Sequence, residues 1–264
     1  MIKNQPIGIF DSGIGGLTVL GEIQRLMPNE NIVYFGDTAR VPYGNKSKLT
    51  IKKFSVENIL FLLQAKVKMV VVACNSSSAL ALDYLNDIFR IPIIGVIEAG
   101  IDKALAVTSG RVGIIGTKAT IESKVYQKNI TKRNKKIKVF SKSCPLFVPL
   151  VEEGLVGGKI TEKVVEMYLR DFKKKKIDTI ILGCTHYPLL KKEIAKYLKG
   201  VTIVDSAQEV ANHAKEVLDH FQLANKEKVK GNKKLCLSDE SKNFTKFAKL
   251  FLKKAAKEIK IINV

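Results

Sequence analysis

Met69-Val70-Val71-Val72-Ala73-Cys74-Asn75-Ser76-Ser77-Ser78-Ala79 begins as an apolar, β-branched run, ends that run on a cysteine, and passes into polar residues and a helical pattern. A short apolar run bounded in this way fits a strand buried on both faces. The pattern returns further along the chain as Thr179-Ile180-Ile181-Leu182-Gly183-Cys184-Thr185-His186-Tyr187-Pro188. Each run carries a cysteine to the carboxyl end of a strand, and in open α/β sheets that edge is where ligands bind. Two cysteines placed alike suggest two equivalent chemical groups facing one site.

Outward from these runs, strand and helix patterns alternate. Strands are expected at Pro6 to Phe10, Asn31 to Phe35, Val67 to Ala73 and Pro92 to Val96. Helices are expected at Gly15 to Met27, Leu49 to Gln64, Ser78 to Phe89 and Glu98 to Val107, and a polar loop at Asp37 to Ser47. A second set places strands at Arg111 to Ile115, Ile137 to Phe140, Ile177 to Leu182 and Val201 to Val204. Its helices start near Ala119 and run over Ile160 to Phe172 and Leu189 to Leu198. A helix at Ala207 to Phe221, a strand at Leu235 to Leu237, a helix at Ser241 to Ala256 and a strand at Ile259 to Ile262 close the chain. Such alternation predicts an α/β fold of two pseudo-symmetric domains, with mainly parallel sheets flanked by helices and the active site between them. The opening strands also correspond, Ile7-Gly8-Ile9-Phe10-Asp11-Ser12-Gly13 with Val112-Gly113-Ile114-Ile115-Gly116-Thr117-Lys118. The expected domains are residues 1–97 with 208–264, making the first discontinuous, and residues 98–207.

A chain of 264 residues at 46% hydrophobic can bury a large core. No apolar run approaches the roughly 18 residues of a membrane helix, and the first residues lack a signal-peptide pattern, so a cytoplasmic protein is expected. Its four cysteines, Cys74, Cys144, Cys184 and Cys236, are far apart, which in a reducing compartment reads as free thiols. The formal charge of +20 falls almost wholly on residues 101–264, in the lysine runs at 132–136, 173–176 and 226–234. Electrostatics alone would let that surface meet phosphates. With no nucleic-acid motif beside the charge, a solvated lysine-rich surface is expected and nucleic-acid binding is not the expected main role.

Several segments can carry chemistry. Asp11-Ser12-Gly13-Ile14-Gly15-Gly16 fits neither G-x-G-x-x-G nor a P-loop, but a glycine-rich turn exposes N–H groups to a small anion, and Asp11 can orient an ammonium or assist a base. The loop Gly36-Asp37-Thr38-Ala39-Arg40-Val41-Pro42-Tyr43-Gly44 is long and specific in content, as binding loops are. Cys74 and Cys184 sit where a strand gives way to a helix, which favours reactive thiols. His186, two residues from Cys184, is a candidate thiol partner or substrate ligand, whereas Cys144 and Cys236 read as buried small hydrophobes. Cys184-Thr185-His186 places two ligands too close in sequence for a usual zinc pattern, and no second cluster exists, so no metal is expected. A single cysteine with a base would suit acyl transfer. Two thiols facing each other across a carbon allow one thiolate to remove a proton while the other thiol supplies one to the opposite face.

These motifs resemble the cofactor-independent glutamate racemases of bacteria over nearly the whole chain. The resemblance is carried by Ile9 to Gly16, Gly36 to Gly44, Ala73-Cys74-Asn75, Gly116 to Thr120, Phe147 to Gly154 and Gly183-Cys184-Thr185-His186. It implies that Cys74 and Cys184 are the paired acid and base and that Asp11, Glu152 and His186 assist the thiols. It implies that Asp11, Ser12, Tyr43, Gly44, Asn75, Ser76, Thr185 and His186 hold a glutamate substrate. One departure is Ser76, where the family commonly has threonine; the hydroxyl survives and the methyl is lost. The resemblance further implies D-glutamate supply for peptidoglycan, no pyridoxal phosphate or metal, and a homodimer.

Overall fold

The structure, a computed structural model, describes residues 2–240, 243–252 and 259–262, without the side chain of residue 250. In chain order the elements are β1 (Ile7–Asp11), α1 (Leu17–Leu26), β2 (Ile32–Gly36), α2 (Lys48–Gln64), β3 (Met69–Val72), α3 (Asn75–Leu80), α4 (Leu82–Ile88) and β4 (Ile93–Gly95). There follow α5 (Val96–Val107), β5 (Arg111–Gly116), α6 (Lys118–Glu122), α7 (Val125–Arg133), β6 (Lys138–Ser143), α8 (Phe147–Glu152), α9 (Lys159–Lys174) and β7 (Thr179–Gly183). The chain closes with α10 (Lys191–Tyr197), β8 (Thr202–Val204), α11 (Ala207–His220), β9 (Lys233–Leu237), α12 (Phe244–Leu252) and β10 (Ile259–Ile261). The helix expected over Ser241 to Ala256 is α12, and the rest of that expectation, except Asn243, lies outside the described residues.

Two parallel sheets organise these elements, as the α/β alternation predicts. One has the order β10-β9-β2-β1-β3-β4 and the other β6-β5-β7-β8. Their central strands are apolar because both faces are covered: every residue of β1, β3 and β7 is buried. In the first sheet Phe10 pairs with Val72, so Ser12 and Cys74 leave the sheet side by side. In the second, Gly116 pairs with Gly183, so Thr117 and Cys184 do the same. Helix α5 packs on β7 and β8, α11 packs on α5 and α1, and one apolar core runs through both sheets.

Several local departures from the sequence expectation are visible. The helix expected to begin at Ser78 begins at Asn75, because the serines are bonded inward rather than competing with the helix. Ser77 accepts from Ser55 Oγ at 3.0 Å, and Ser78 Oγ donates to the Val72 carbonyl at 2.9 Å. That helix also breaks at Ala81 into α3 and α4. Helix α8 lies where the sequence pattern predicts no helix; Pro149 stands in its first turn, where the missing N–H is harmless. The stretch after Ala119 is split by Lys124 at φ 57°, and a 3-10 turn at Tyr187–Leu190 precedes α10. Among the described residues no helix is long and apolar enough to cross a membrane. Lys132 and Arg133 end α7, and Lys173 and Lys174 end α9, where cations complement the negative ends of the helices.

At the amino-terminal edge of the first sheet lies a buried ion pair. Lys68 Nζ, fully buried, donates to Glu30 Oε2 at 2.5 Å, to the Lys3 carbonyl at 2.7 Å and to the Leu223 carbonyl at 2.9 Å. Glu30 Oε1 accepts from the Asn225 N–H at 2.7 Å, tying the segment that leads from α11 into β9 to the body of the sheet. Removing one partner strands the other charge in the interior. Lys68→Ala is expected to lower unfolding free energy by about 3–5 kcal/mol in urea denaturation; a loss below about 1 kcal/mol would mean that the pair behaves as a solvated one.

Candidate active site

The cavity between the carboxyl edges of the two sheets is small and walled by side chains from both. Cys74, two residues after β3, and Cys184, immediately after β7, both line it and are 4% and 6% exposed. Ser12, Tyr43, Gly44, Asn75, Ser76, Thr185 and His186 line it as well. Asp11 and Glu152 stand one layer behind, each bonded to a lining residue. A larger open groove of about 830 Å³ at α9 and α10 is lined by Lys173, Lys176, Lys196 and Lys199, with no thiol, imidazole or carboxylate among its lining residues. Acid–base chemistry therefore belongs to the smaller, enclosed cavity.

The two thiols have different neighbours. Cys74 Sγ lies 3.6 Å from Ser12 Oγ, and Asp11 sits behind that turn. Burial, reinforced by the Asp11 charge, pushes the Cys74 thiol up to about 11, so it is protonated at neutral pH. Cys184 Sγ lies 3.8 Å from His186 Nδ1, and His186 Nε2 lies 2.6 Å from Glu152 Oε1. Burial alone would lower the His186 pKa, but the contacts with Cys184 and Glu152 prevail and hold it well above its ordinary value. These two neighbours favour the charged form of the imidazole. Burial raises the Asp11 carboxyl, opposed by the His186 charge, the N–H groups of Gly16 and Gly13, and the Thr185 hydroxyl, which donates at 3.0 Å.

The turns that carry these groups meet at close quarters. A Cβ at Gly15 would stand 2.4 Å from Thr185 Oγ1 and 2.7 Å from His186 Nδ1, so only glycine lets the first turn pass the second. Tyr34, fully buried, donates to the Gly13 carbonyl at 2.7 Å and fixes the same turn from below. The loop before Tyr43 is held by Arg40, which donates to Asp37 Oδ2 at 2.7 Å, bonds Glu57, and lies 4.1 Å from the Phe54 ring centroid. Tyr43 in turn donates to Asp37 and accepts from Asn58 Nδ2 at 3.1 Å.

Sequence reasoning passed over Thr117, Val148 and Pro42 as lining residues. Thr117 had a usable signal: it corresponds to Ser12 in the repeated strand-and-turn pattern, and its hydroxyl lies 2.9 Å from Ser76 Oγ. Tyr34 and Tyr126, which buttress the site from buried positions, had none.

Two thiols at the carboxyl ends of strands from separate parallel sheets, facing one enclosed cavity, define an α/β enzyme built for proton transfer at carbon. The Asp/Glu/Hydantoin racemase family matches residues 18–214. The chain is 49% identical to the glutamate racemase of Aquifex aeolicus over 247 residues, covering 93% of each chain. It is 46% identical to that of Chlorobaculum tepidum over 266 residues, covering 99% of this chain and 97% of the relative. The crystal structure of glutamate racemase from Francisella tularensis subsp. tularensis in complex with D-glutamate superposes with a TM-score of 0.92 at 41% identity, covering 98% of both chains. This chain belongs to the Asp/Glu/hydantoin racemase family.

Because the Cys74 thiol titrates high, its alkylation by iodoacetamide in the ligand-free protein is expected to quicken about tenfold per pH unit between about pH 7 and 10. Asp11→Asn removes a neighbouring negative charge, lowers the thiol pKa, and is expected to speed alkylation at fixed pH. Peptide mass spectrometry of Cys74 over time reads both, and a pH-independent rate would contradict the assignment.

Proposed function

We propose that this chain interconverts L- and D-glutamate by passing the α-proton between Cys74 and Cys184. The observation that carries the proposal is the pair of buried thiols, one from each sheet, opening onto a single small cavity. In one direction the Cys74 thiolate takes the α-proton of D-glutamate and the Cys184 thiol protonates the opposite face; in the other the roles exchange. Asp11 assists Cys74. His186, backed by Glu152, assists Cys184. Ser12, Tyr43, Gly44, Asn75, Ser76, Thr185 and His186 hold the amino acid.

The chemistry is demanding because an amino acid's α-proton is weakly acidic. Forming the Cys74 thiolate near pH 7.5 from a thiol at about 11 takes about 5 kcal/mol before the carbon is touched. Substrate binding has to supply part of this, by expelling water and bringing charge against the thiol. The product serves peptidoglycan synthesis. A cytoplasmic setting is supported by four unpaired cysteines; a homodimer is supported by the family resemblance. The division into residues 1–97 with 208–264 and residues 98–207 is supported by the pairing of β9 with β2.

Incubation of the pure protein with L-glutamate in D2O, without added cofactor, is expected to lose optical activity and to place deuterium at the α-carbon. Cys74→Ser and Cys184→Ser are each expected to abolish racemisation, and aspartate in the same assay to remain unexchanged. Retained optical rotation with no α-deuterium would sink the proposal.

A further inference from the structure

We infer that Tyr126 is a positioning residue for this reaction: it turns the Asn75 amide so that only N–H donors face the cavity, where they receive a substrate carboxylate. The inference rests on the functional reading above. Tyr126 lies on α7, beside the second sheet, and Asn75 follows Cys74 at the end of β3 in the first. The buried Tyr126 hydroxyl reaches across and meets Asn75 Oδ1 at 2.7 Å.

The chemistry of the two groups leaves one arrangement. Burial raises the Tyr126 phenol, and the nearby Cys184 and Glu98 push the same way, so it keeps its proton throughout the working pH range. A phenol O–H can donate to an amide oxygen, whereas the amide nitrogen accepts nothing. Oδ1 is therefore held by Tyr126, and Nδ2 faces the other way. Among the described residues Nδ2 meets no acceptor, and Asn75 lines the cavity. Among the described residues no lysine or arginine lines that cavity, so a carboxylate there draws on polar donors correctly aimed. A flipped amide would set its oxygen against the carboxylate.

Tyr126 also touches the other thiol's turn. A Cβ built on Gly183, the residue before Cys184, would stand 3.3 Å from the Tyr126 ring. One side chain thus bears on both cysteine turns, with its hydroxyl on Asn75, the residue after Cys74, and its ring against the approach to Cys184.

Tyr126→Phe keeps the ring and removes the donor. The KM for both glutamate enantiomers is expected to rise about tenfold while kcat stays within about twofold. In an Asn75→Ala background the same substitution is expected to change KM by less than about twofold. Asn75→Asp still accepts from Tyr126 but offers no donor, and is expected to raise KM beyond the Tyr126→Phe value. An unchanged KM in Tyr126→Phe, or a tenfold effect that persists without Asn75, overturns the inference. The Asn75 side-chain amide signal of ligand-free, 15N-labelled protein separates this test from the functional reading. Tyr126→Phe is expected to shift that signal and speed its hydrogen exchange, and an unmoved signal overturns the orientation. A wild-type protein that leaves glutamate untouched overturns the functional reading, and the amide signal then still decides the orientation.

Discussion

Desolvation of the two thiols is the constraint on which the rest of this structure depends. An enclosed cavity strengthens every charge interaction within it, and the same enclosure penalises each charged form. Cys74 accordingly sits at about 11, and the Asp11 carboxyl is raised. His186 escapes the same penalty only because Glu152 Oε1 stands 2.6 Å from one ring nitrogen and the Cys184 sulfur lies beside the other. The buried polar groups around the cavity are correspondingly well partnered. Asp11 takes hydrogen bonds from Gly13 and Thr185, and Ser76, Thr117 and Thr120 form a chain of hydroxyls.

The fold meets this constraint by register. Parallel sheets deliver all their carboxyl ends to one edge, so two such sheets set edge to edge enclose a cleft lined by strand ends. The Phe10–Val72 and Gly116–Gly183 pairings then decide which side chains arrive there. Close approach of the two edges is set at Gly15, where any side chain would strike Thr185 and His186. At the opposite edge of the first sheet, Lys68 and Glu30 hold the amino-terminal residues and the segment before β9 together. Rigidity far from the cleft and tight packing within it are parts of one arrangement.

Much of this was legible in the sequence, and what was missed shares a cause. The buried strands could be read from their continuous apolar runs, and the cysteines from their place at the ends of those runs. Helix α3 was shifted because a serine run looks helix-averse when it has no partners, whereas here Ser55, Val72 and Val96 supply them. Glu152 was found through its motif, although α8, which carries it, was hidden by Pro149. Tyr34 and Tyr126 left no trace because a buried tyrosine in an apolar pattern looks like core. Only the tertiary structure shows that each hydroxyl ends on a residue of the site, Gly13 for one and Asn75 for the other.

The pseudo-symmetry of the sheets contrasts with the asymmetry of the thiols' surroundings. Beside Cys184 stands an imidazole whose charged form is favoured, whereas beside Cys74 stand a hydroxyl and a carboxylate. A reversible proton transfer needs each thiol to act as acid in one direction and base in the other. Among the described residues no lysine or arginine lines the cavity, and its histidine, His186, lies on the Cys184 side. A Cys74 thiolate therefore finds no cation directly beside it among the described residues, and burial together with Asp11 works against its formation. In the proposed reaction the remaining positive charge is the substrate's own α-ammonium, attached to the carbon that gives up the proton. The first sheet's half of the site is then electrostatically complete only when an amino acid occupies it, which ties activation of Cys74 to the presence of the molecule it acts upon.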